Sequence, residues 1–180
     1  FLNAEYWGIY NIRERFDKHY FERVYDIKDD ELDYLENNAL ADEGDNQHYL
    51  NMIDFIENNS LSNDANFEHI VTMMDVDNYT DNFIANIYAA NYDWPRNNIE
   101  FWRKKTDHYE PNAPYGQDGR WRWVMKDMDV AFNGSPDWIN NSYTYNMLEH
   151  ATSGNGDENF TPQWSTLLLR SLLENNSFKI

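Results

Sequence analysis

Residues 91–103 read NYDWPRNNIEFWR, and within them the patterning of the chain changes from helix to strand. Pro95 cannot continue a helix, because it lacks a backbone N–H and biases the preceding residue, Trp94, towards extended geometry. The residues from Ile99 to Arg103 are rich in apolar and aromatic side chains, which predicts a strand. The segment therefore predicts the end of a helical region, a loop and the beginning of a strand.

A second strand is predicted from Arg120 to Lys126, where the sequence reads RWRWVMK. The polar loop between the two strands contains two prolines and two glycines, at Pro111, Pro114, Gly116 and Gly119. The two strands are therefore expected to form a hairpin with a long connection. In a hairpin the start of one strand lies beside the end of its partner, so residues before Ile99 should approach those after Lys126.

The rest of the chain has mainly helical patterning. Capping residues and the spacing of apolar side chains predict helices at about 17–25, 45–57, 66–73, 77–88, 143–150 and 164–174. Three of these helices would be capped by Asp17, Asp45 and Asp77. The segment Tyr6 to Ile12 predicts a further strand, and 26–45 predicts a loop with one short element. The predicted fold class is α+β, with a mostly helical lobe and a central β-hairpin.

Composition excludes several classes of protein. Among 180 residues, 14 basic and 32 acidic side chains give a formal net charge of −18. Such a surface repels phosphate backbones and anionic lipids, which argues against nucleic-acid binding and membrane docking. Hydrophobic residues make up 41% of the chain, enough for a core, but no stretch approaches the ~20 apolar residues of a membrane helix. The absence of cysteine excludes disulfides, thiolate metal sites and cysteine nucleophiles.

The predicted hairpin would bring two groups of polar residues together. Asp93 and Asn98 precede its first strand, and Asp127 and Asp129 directly follow its second. Kinase-like phosphoryl transfer needs one carboxylate to orient the hydroxyl, and an Asn and an Asp to hold Mg²⁺. The interval from Asp93 to Asn98 equals the Asp-to-Asn interval of the protein-kinase catalytic loop, although no His-Arg pair precedes this Asp.

Each of these groups also has a structural interpretation. Asp93 and Asn98 are residues that commonly form turns, here on either side of Pro95. Asp127 and Asp129 can end the second strand in a turn. Against that interpretation, two like charges that follow an apolar run repel each other unless a cation lies between them, which favours a metal.

Other candidate sites have weaker support. Asp75 to Asn78 is similar to the start of a calcium loop, but the glycine and the terminal Glu are missing, which favours a helix cap. The five histidines show no zinc-binding spacing, and the chain has no Walker, Rossmann or nucleophile-elbow motif. Seven tryptophans could line a glycan-binding face, but their scatter favours core packing. Glu14 either pairs with a phosphate-binding lysine or is a solvated residue at the start of a helix.

Four blocks of the sequence resemble the spore coat protein H (CotH) kinase family. They are YWGIY at residues 6–10 followed by Glu14, NYDWPRNN at residues 91–98 followed by Trp102-Arg103, the segment from Trp121 through Asp127-Met128-Asp129 to Phe132, and PQWSTLLLR at residues 162–170. The blocks occur in the right order and span nearly the whole chain, so the resemblance is specific.

The resemblance implies an atypical protein-kinase-like fold that transfers phosphate from ATP to Ser or Thr of a protein substrate. It implies that Asp93 is the catalytic carboxylate and that Asp127 binds Mg²⁺ or Mn²⁺, with help from Asn98 and Asp129. Glu14 would be the glutamate that pairs with a lysine in the nucleotide site. The family further implies a bacterial protein of the spore coat, the cell surface or the extracellular space.

The resemblance also implies that residues 1–180 form the C-terminal portion of the domain. Family members have further β-structure before the YWG segment, where basic residues that bind the nucleotide are expected. No basic residue lies between Lys28 and Arg96, so the cations available to ATP are Arg13, Arg15 and Lys18.

Three interpretations of the function remain open at the level of sequence. The first is an ATP- and Mg²⁺-dependent kinase of the CotH type. The second is a catalytically silent kinase-like module of a secreted or surface protein, which contacts protein or glycan. The third is a purely structural α+β module, which leaves the repulsion between Asp127 and Asp129 without a purpose.

Overall fold

One antiparallel sheet organises the molecule. The computed structural model describes residues 3, 5, 6, 14–133, 144–154 and 161–179. Within them the sheet has four strands in the order β2-β1-β3-β4, which are β1 (Leu32–Glu36), β2 (Leu40–Glu43), β3 (Glu100–Lys104) and β4 (Arg122–Val124). The α+β class is confirmed, and so is the central hairpin, since β3 pairs with β4 in antiparallel register.

The segment 26–45 differs from its prediction as a loop with one short element. It contains the hairpin of β1 and β2, whose turn holds Asn37 and Ala39 in left-handed backbone conformations. Leu32 to Leu35 are buried, whereas β2 is almost entirely exposed. An exposed edge strand has no apolar alternation, so its pairing with β1 is what defines it as a strand.

Six α-helices are found in the described part of the chain. They are α1 (Lys18–Tyr25), α2 (Gln47–Asn58), α3 (Asp64–Met73), α4 (Val76–Tyr88), α5 (Met147–Ala151) and α6 (Gln163–Leu172). The prediction that Asp17 caps α1 is confirmed, since its carboxylate accepts a hydrogen bond from the backbone N–H of Tyr20 at 3.1 Å. The prediction that Asp77 caps α4 is wrong, because Asp75 occupies the cap and Asp77 lies in the first turn. Apart from Tyr6, the predicted strand Tyr6 to Ile12 lies outside the described residues.

The two faces of the sheet pack against different partners. On one face, Leu35, Phe101 and Trp123 belong to a large core that also contains residues of α2, α3, α4, α5 and α6. On the other face, Tyr34 and Trp102 belong to a smaller aromatic core with α1. Four tryptophans are 0 to 5% exposed, namely Trp94, Trp102, Trp121 and Trp123. These four tryptophans therefore pack the interior and offer no face to a glycan.

The outer edge of β4 is covered along its length. The link between α3 and α4 pairs with Trp121, whose backbone N–H donates to the Met73 carbonyl at 2.9 Å. Side chains of α4 cover the rest of the edge, as described below. Covering the edge prevents pairing with other chains and fixes the position of β4 against α4. Each α-helix of the described part of the chain is too short or too polar to span a lipid bilayer.

Candidate functional site

The loop between α4 and β3 holds Asp93 in a defined position. Asp93 is 8% exposed. Its Oδ2 accepts hydrogen bonds from the side-chain amides of Asn97 at 2.8 Å and Asn98 at 3.0 Å. A guanidinium nitrogen of Arg96 lies 3.4 Å from the other carboxylate oxygen. The structure thus brings Asp93 and Asn98 together, with the carboxylate oriented by donors from its own loop.

Aromatic side chains of α4 and α5 pack against the loop that carries Asp93 and hold it in place. Trp94 is buried and packs edge-to-face on Phe83 of α4, with ring centroids 4.5 Å apart. His150 of α5 stacks on Tyr92 with centroids 5.6 Å apart, and its Nδ1 lies 3.0 Å from the hydroxyl of Tyr145. Burial lowers the pKa of His150 below its ordinary value. A neutral imidazole therefore supports the loop that carries Asp93.

The turn after β4 presents its acidic residues to solvent. Asp127 and Asp129 are both exposed, and Asp127 has a left-handed backbone with φ of 47°. A non-glycine residue in this conformation carries a conformational cost of about 1–2 kcal/mol. Neither carboxylate forms an ion pair within the described part of the chain. The turn therefore holds two negative charges that no described side chain neutralises.

A ladder of asparagines on α4 positions this turn. Asn78, Asn82 and Asn86 lie four residues apart and so share one face of the helix. Asn78 accepts from the backbone N–H of Trp123 at 2.6 Å and donates to the carbonyl of the same residue at 3.2 Å. Asn82 donates to the Val124 carbonyl at 3.1 Å. The side chains satisfy the backbone groups that the edge strand would otherwise leave unpaired.

The ladder continues into the Asp93 loop. The buried Asn91 donates from its side-chain amide to Oδ1 of Asn86 at 2.8 Å, and the same nitrogen lies 3.4 Å from the sulfur of Met128. Met128 stands between Asp127 and Asp129 in the sequence. Asn91 therefore links the loop of Asp93 to the turn of Asp127 through side-chain contacts. Sequence reasoning missed this ladder, although its signal was available as asparagine at every fourth position along one face of α4.

An open cleft of about 650 Å³ lies on the α1 side of the sheet. Its walls include Glu14, Arg15 and Phe16 from the segment before α1, Tyr34, Glu36 and Asp42 from the first hairpin, and Glu100, Met125, Lys126 and Asp127 from the second. The cleft thus brings Glu14 and Asp127 to one site. Asp93, Asn98 and Asp129 do not belong to its walls.

Three further observations bear on the predicted roles of Glu14, the acidic metal ligands and Asp75. Glu14 pairs with Arg23 of α1, not with a lysine. In the described residues no three acidic or histidine side chains converge into a preformed metal cage. Asp75 caps α4 and pairs with Arg122 at 2.9 Å, which agrees with its interpretation as a helix cap.

Sequence reasoning also missed a buried glutamate at the base of the cleft. Glu100 is 6% exposed, and its two carboxylate oxygens accept hydrogen bonds from the hydroxyl of Tyr34 and the ammonium of Lys126. Burial, together with the carboxylate of Glu100, raises the pKa of Tyr34, so the hydroxyl stays protonated and donates. The only sequence signal was an acidic residue at the start of an apolar strand.

The comparisons with known proteins agree with the sequence blocks. The family model described as CotH kinase protein matches residues 1–180, the whole chain. No curated protein and no solved structure matches the sequence. The resemblance to the family is therefore confirmed, and the chain belongs to the CotH kinase family.

Proposed function

We propose that the protein is an atypical kinase that transfers phosphate from ATP to Ser or Thr of a protein substrate in a Mg²⁺- or Mn²⁺-dependent reaction. The observation that carries the proposal is that two carboxylates in different environments lie at the adjacent ends of β3 and β4, with Asp93 before β3 and Asp127 after β4. Asp93 is buried and oriented by amides, whereas Asp127 is exposed at a cleft, and Asn91 links their segments.

Asp93 is suited to orient the acceptor hydroxyl. The amides of Asn97 and Asn98 both donate to Oδ2, and both are neutral. Among the described residues, Oδ1 has one partner, Arg96, at the long distance of 3.4 Å. Oδ1 is therefore the oxygen with capacity left for the hydrogen of a substrate hydroxyl, which is the role of the carboxylate in this chemistry.

The residues present also fit a divalent metal. Asp127 and Asp129 supply carboxylates that pair with no cation in the part of the chain that the structure describes, and such oxygen donors are the ligands that Mg²⁺ prefers. Asn98 uses its N–H on Asp93, so its carbonyl oxygen is the atom that it offers to a metal. When bound, the metal would neutralise charge on the phosphates of ATP. Asp127, Asp129 and Asn98 would hold it, with Asp127 as the principal ligand.

Phosphate transfer by the full-length polypeptide that carries these 180 residues tests the proposal. With γ-labelled ATP and Mg²⁺ or Mn²⁺, we expect label on protein. Asp127→Ala should abolish it, and Asp93→Asn should retain nucleotide binding but reduce transfer by roughly 10² or more. The control is Asp107→Ala, because Asp107 is an exposed aspartate in the loop at the other end of the hairpin. Unlabelled protein from a folded wild-type chain that also binds no nucleotide would contradict the proposal.

A second candidate function is favoured by the charge of the cleft. Five acidic residues and two basic residues line it, and Glu14 is engaged by Arg23. Such a cleft repels free ATP, which suits a catalytically silent kinase-like module that binds a basic segment of another protein. Binding of a lysine-rich peptide that ATP does not displace would support this alternative over the kinase.

Family membership also guides the proposal for where the protein acts. We infer a bacterial protein of the spore coat or of another extracellular or cell-surface location, with a protein partner that carries Ser or Thr acceptors. Detection of the protein, and of phosphate on its neighbours, in a purified surface fraction would support this assignment. Its exclusive recovery with cytosolic proteins would contradict it.

A further inference from the structure

The cleft contains an anchored cation that the family resemblance did not suggest. Its charged wall residues are the acids Glu14, Glu36, Asp42, Glu100 and Asp127 and the bases Arg15 and Lys126. A polyphosphate bound beside so many carboxylates needs cations from the protein as well as from a metal. The two basic side chains of the wall are therefore the groups to consider.

Lys126 is held in place by a buried carboxylate. Its ammonium donates to Oε1 of Glu100, while Oε2 of the same carboxylate accepts from the hydroxyl of Tyr34. The Glu100 side chain is 7% exposed and that of Lys126 is 40% exposed. The Glu100 carboxylate is therefore buried against the sheet, whereas the side chain of Lys126 is partly exposed in the cleft. One N–H of the ammonium is used by Glu100, which leaves the others for a ligand.

The strand register explains this arrangement. Glu100 pairs across the sheet with Glu36 of β1 and with Val124 of β4. Tyr34 and Lys126 each lie two residues from one of these partners, so all three side chains stand on the same face of the sheet. Lys126 also directly precedes Asp127. The register therefore places one fixed cation next to the proposed principal metal ligand.

Other lysines of the same face of the molecule are engaged elsewhere. Lys18 pairs with Asp29 at 2.9 Å and Lys104 lies 3.7 Å from Glu31, and neither lines the cleft. Arg15 lines the cleft from the segment before α1, with no buried anchor among the described residues. Lys126 is thus the cleft cation whose position is set by the core of the sheet.

We propose that Lys126 binds the phosphate groups of the donor nucleotide, with Glu100 and Tyr34 as residues that position its ammonium. The inference rests on the proposed function, and it names a phosphate-binding residue of the same site. A lysine ammonium is a compact charge that suits phosphate oxygens. Glu100 keeps the Lys126 side chain from extending into solvent. This restraint lowers the entropic cost of ordering the side chain when a ligand binds.

Equilibrium binding of ATP and of adenosine tests this inference, with Lys126→Gln compared with wild type. We expect Lys126→Gln to weaken ATP binding about tenfold or more, both with and without Mg²⁺, because a hydrogen bond to a charged group is lost. Adenosine lacks phosphate, so its affinity should not change. Lys126→Arg should restore most of the ATP affinity. The matched control is Lys104→Gln, which removes a lysine of the same sheet outside the cleft and should leave both affinities unchanged.

The outcomes separate the inference from the proposed function. Unchanged ATP affinity in Lys126→Gln, with wild type binding ATP, overturns the role of Lys126 and leaves the kinase proposal standing. Equal losses of ATP and adenosine binding also overturn it, because they indicate a structural effect. Absence of ATP binding by wild type overturns both.

Discussion

Aspartates lie near both ends of strand β4, but they are buried and paired at its start and exposed at its end. At its start, Arg122 is 1% exposed and makes a bidentate pair with Asp118, both contacts being 2.7 Å, and it lies 2.9 Å from Asp75. At its end, Asp127 and Asp129 are exposed and form no ion pair with a described residue. Aspartates at the first end are neutralised within the chain, which indicates a structural role. Those at the second end have no such partner among the described residues, and for that reason we propose them as metal ligands.

The largest expected effect comes from removing the guanidinium of Arg122, which neutralises the buried aspartates at the start of β4. Arg122→Met should lower the free energy of unfolding by about 3 kcal/mol, because Asp118 and Asp75 would lose the buried guanidinium and keep only the more exposed Arg120 as a cationic partner. Asp127→Ala should lower it by about 1 kcal/mol or less, since the side chain is exposed. Denaturant unfolding of the two variants measures both values. Similar losses would contradict the division of β4 into a structural end and a functional end.

The asparagine ladder that holds β4 gives a smaller effect. Asn78→Ala removes both side-chain hydrogen bonds to the backbone of Trp123 and should cost about 2–3 kcal/mol, because a buried N–H and C=O lose their partners. Asp81→Ala provides the control, since Asp81 is exposed on the same helix and should change stability by about 0.5 kcal/mol or less. If Asn78→Ala behaves like Asp81→Ala, the ladder does not hold the strand.

Acid should weaken the structural end of β4 through His48. The indole N–H of Trp121 donates to Nδ1 of His48 at 2.9 Å, which requires that nitrogen to be unprotonated. Burial, with a contribution from Arg103, lowers the pKa of His48 to about 4 from an ordinary value of 6.5. The unfolded chain therefore binds the proton more readily. The contribution of His48 to stability is present above pH 6.5 and is lost as pH falls towards 4.

Comparison of variants isolates this titration from that of the carboxylates. The stability of His48→Gln should fall less steeply between pH 6.5 and 4 than that of the wild type. His108→Gln replaces an exposed histidine of the hairpin loop and should follow the wild-type curve. Parallel curves for wild type and His48→Gln would show that His48 does not titrate as the contact with Trp121 requires.

The sequence predicted the parts of the molecule whose signals are local. The strands β3 and β4 have apolar and aromatic runs, and Pro95 marks the loop between α4 and β3. The proximity of Asp93 to Asn98 also follows from their short separation in that loop. Strand β2 was not predicted, because its exposed residues carry no pattern and its pairing with β1 defines it.

The groups that sequence reasoning missed depend on contacts between distant residues. Glu100 meets Tyr34 across 66 residues and Lys126 across 26, so their meeting requires the register of three strands. Asn78 meets Trp123 across 45 residues. Asparagine in a helix normally competes with the helical hydrogen bonds and indicates a cap or a turn. The asparagines of α4 instead lie within the helix, because the backbone at the edge of β4 supplies hydrogen-bond partners for their side chains.

The most direct test of the functional end of β4 is the coupling between metal and nucleotide. Calorimetric titration of ATP into the full-length polypeptide, with and without Mg²⁺, should show about tenfold tighter binding with the metal, within the range typical of coupled sites. In Asp127→Ala the two affinities should be equal. A wild-type chain whose ATP affinity does not respond to Mg²⁺, or an Asp127→Ala variant that keeps the full response, would contradict the assignment of Asp127 as the metal ligand.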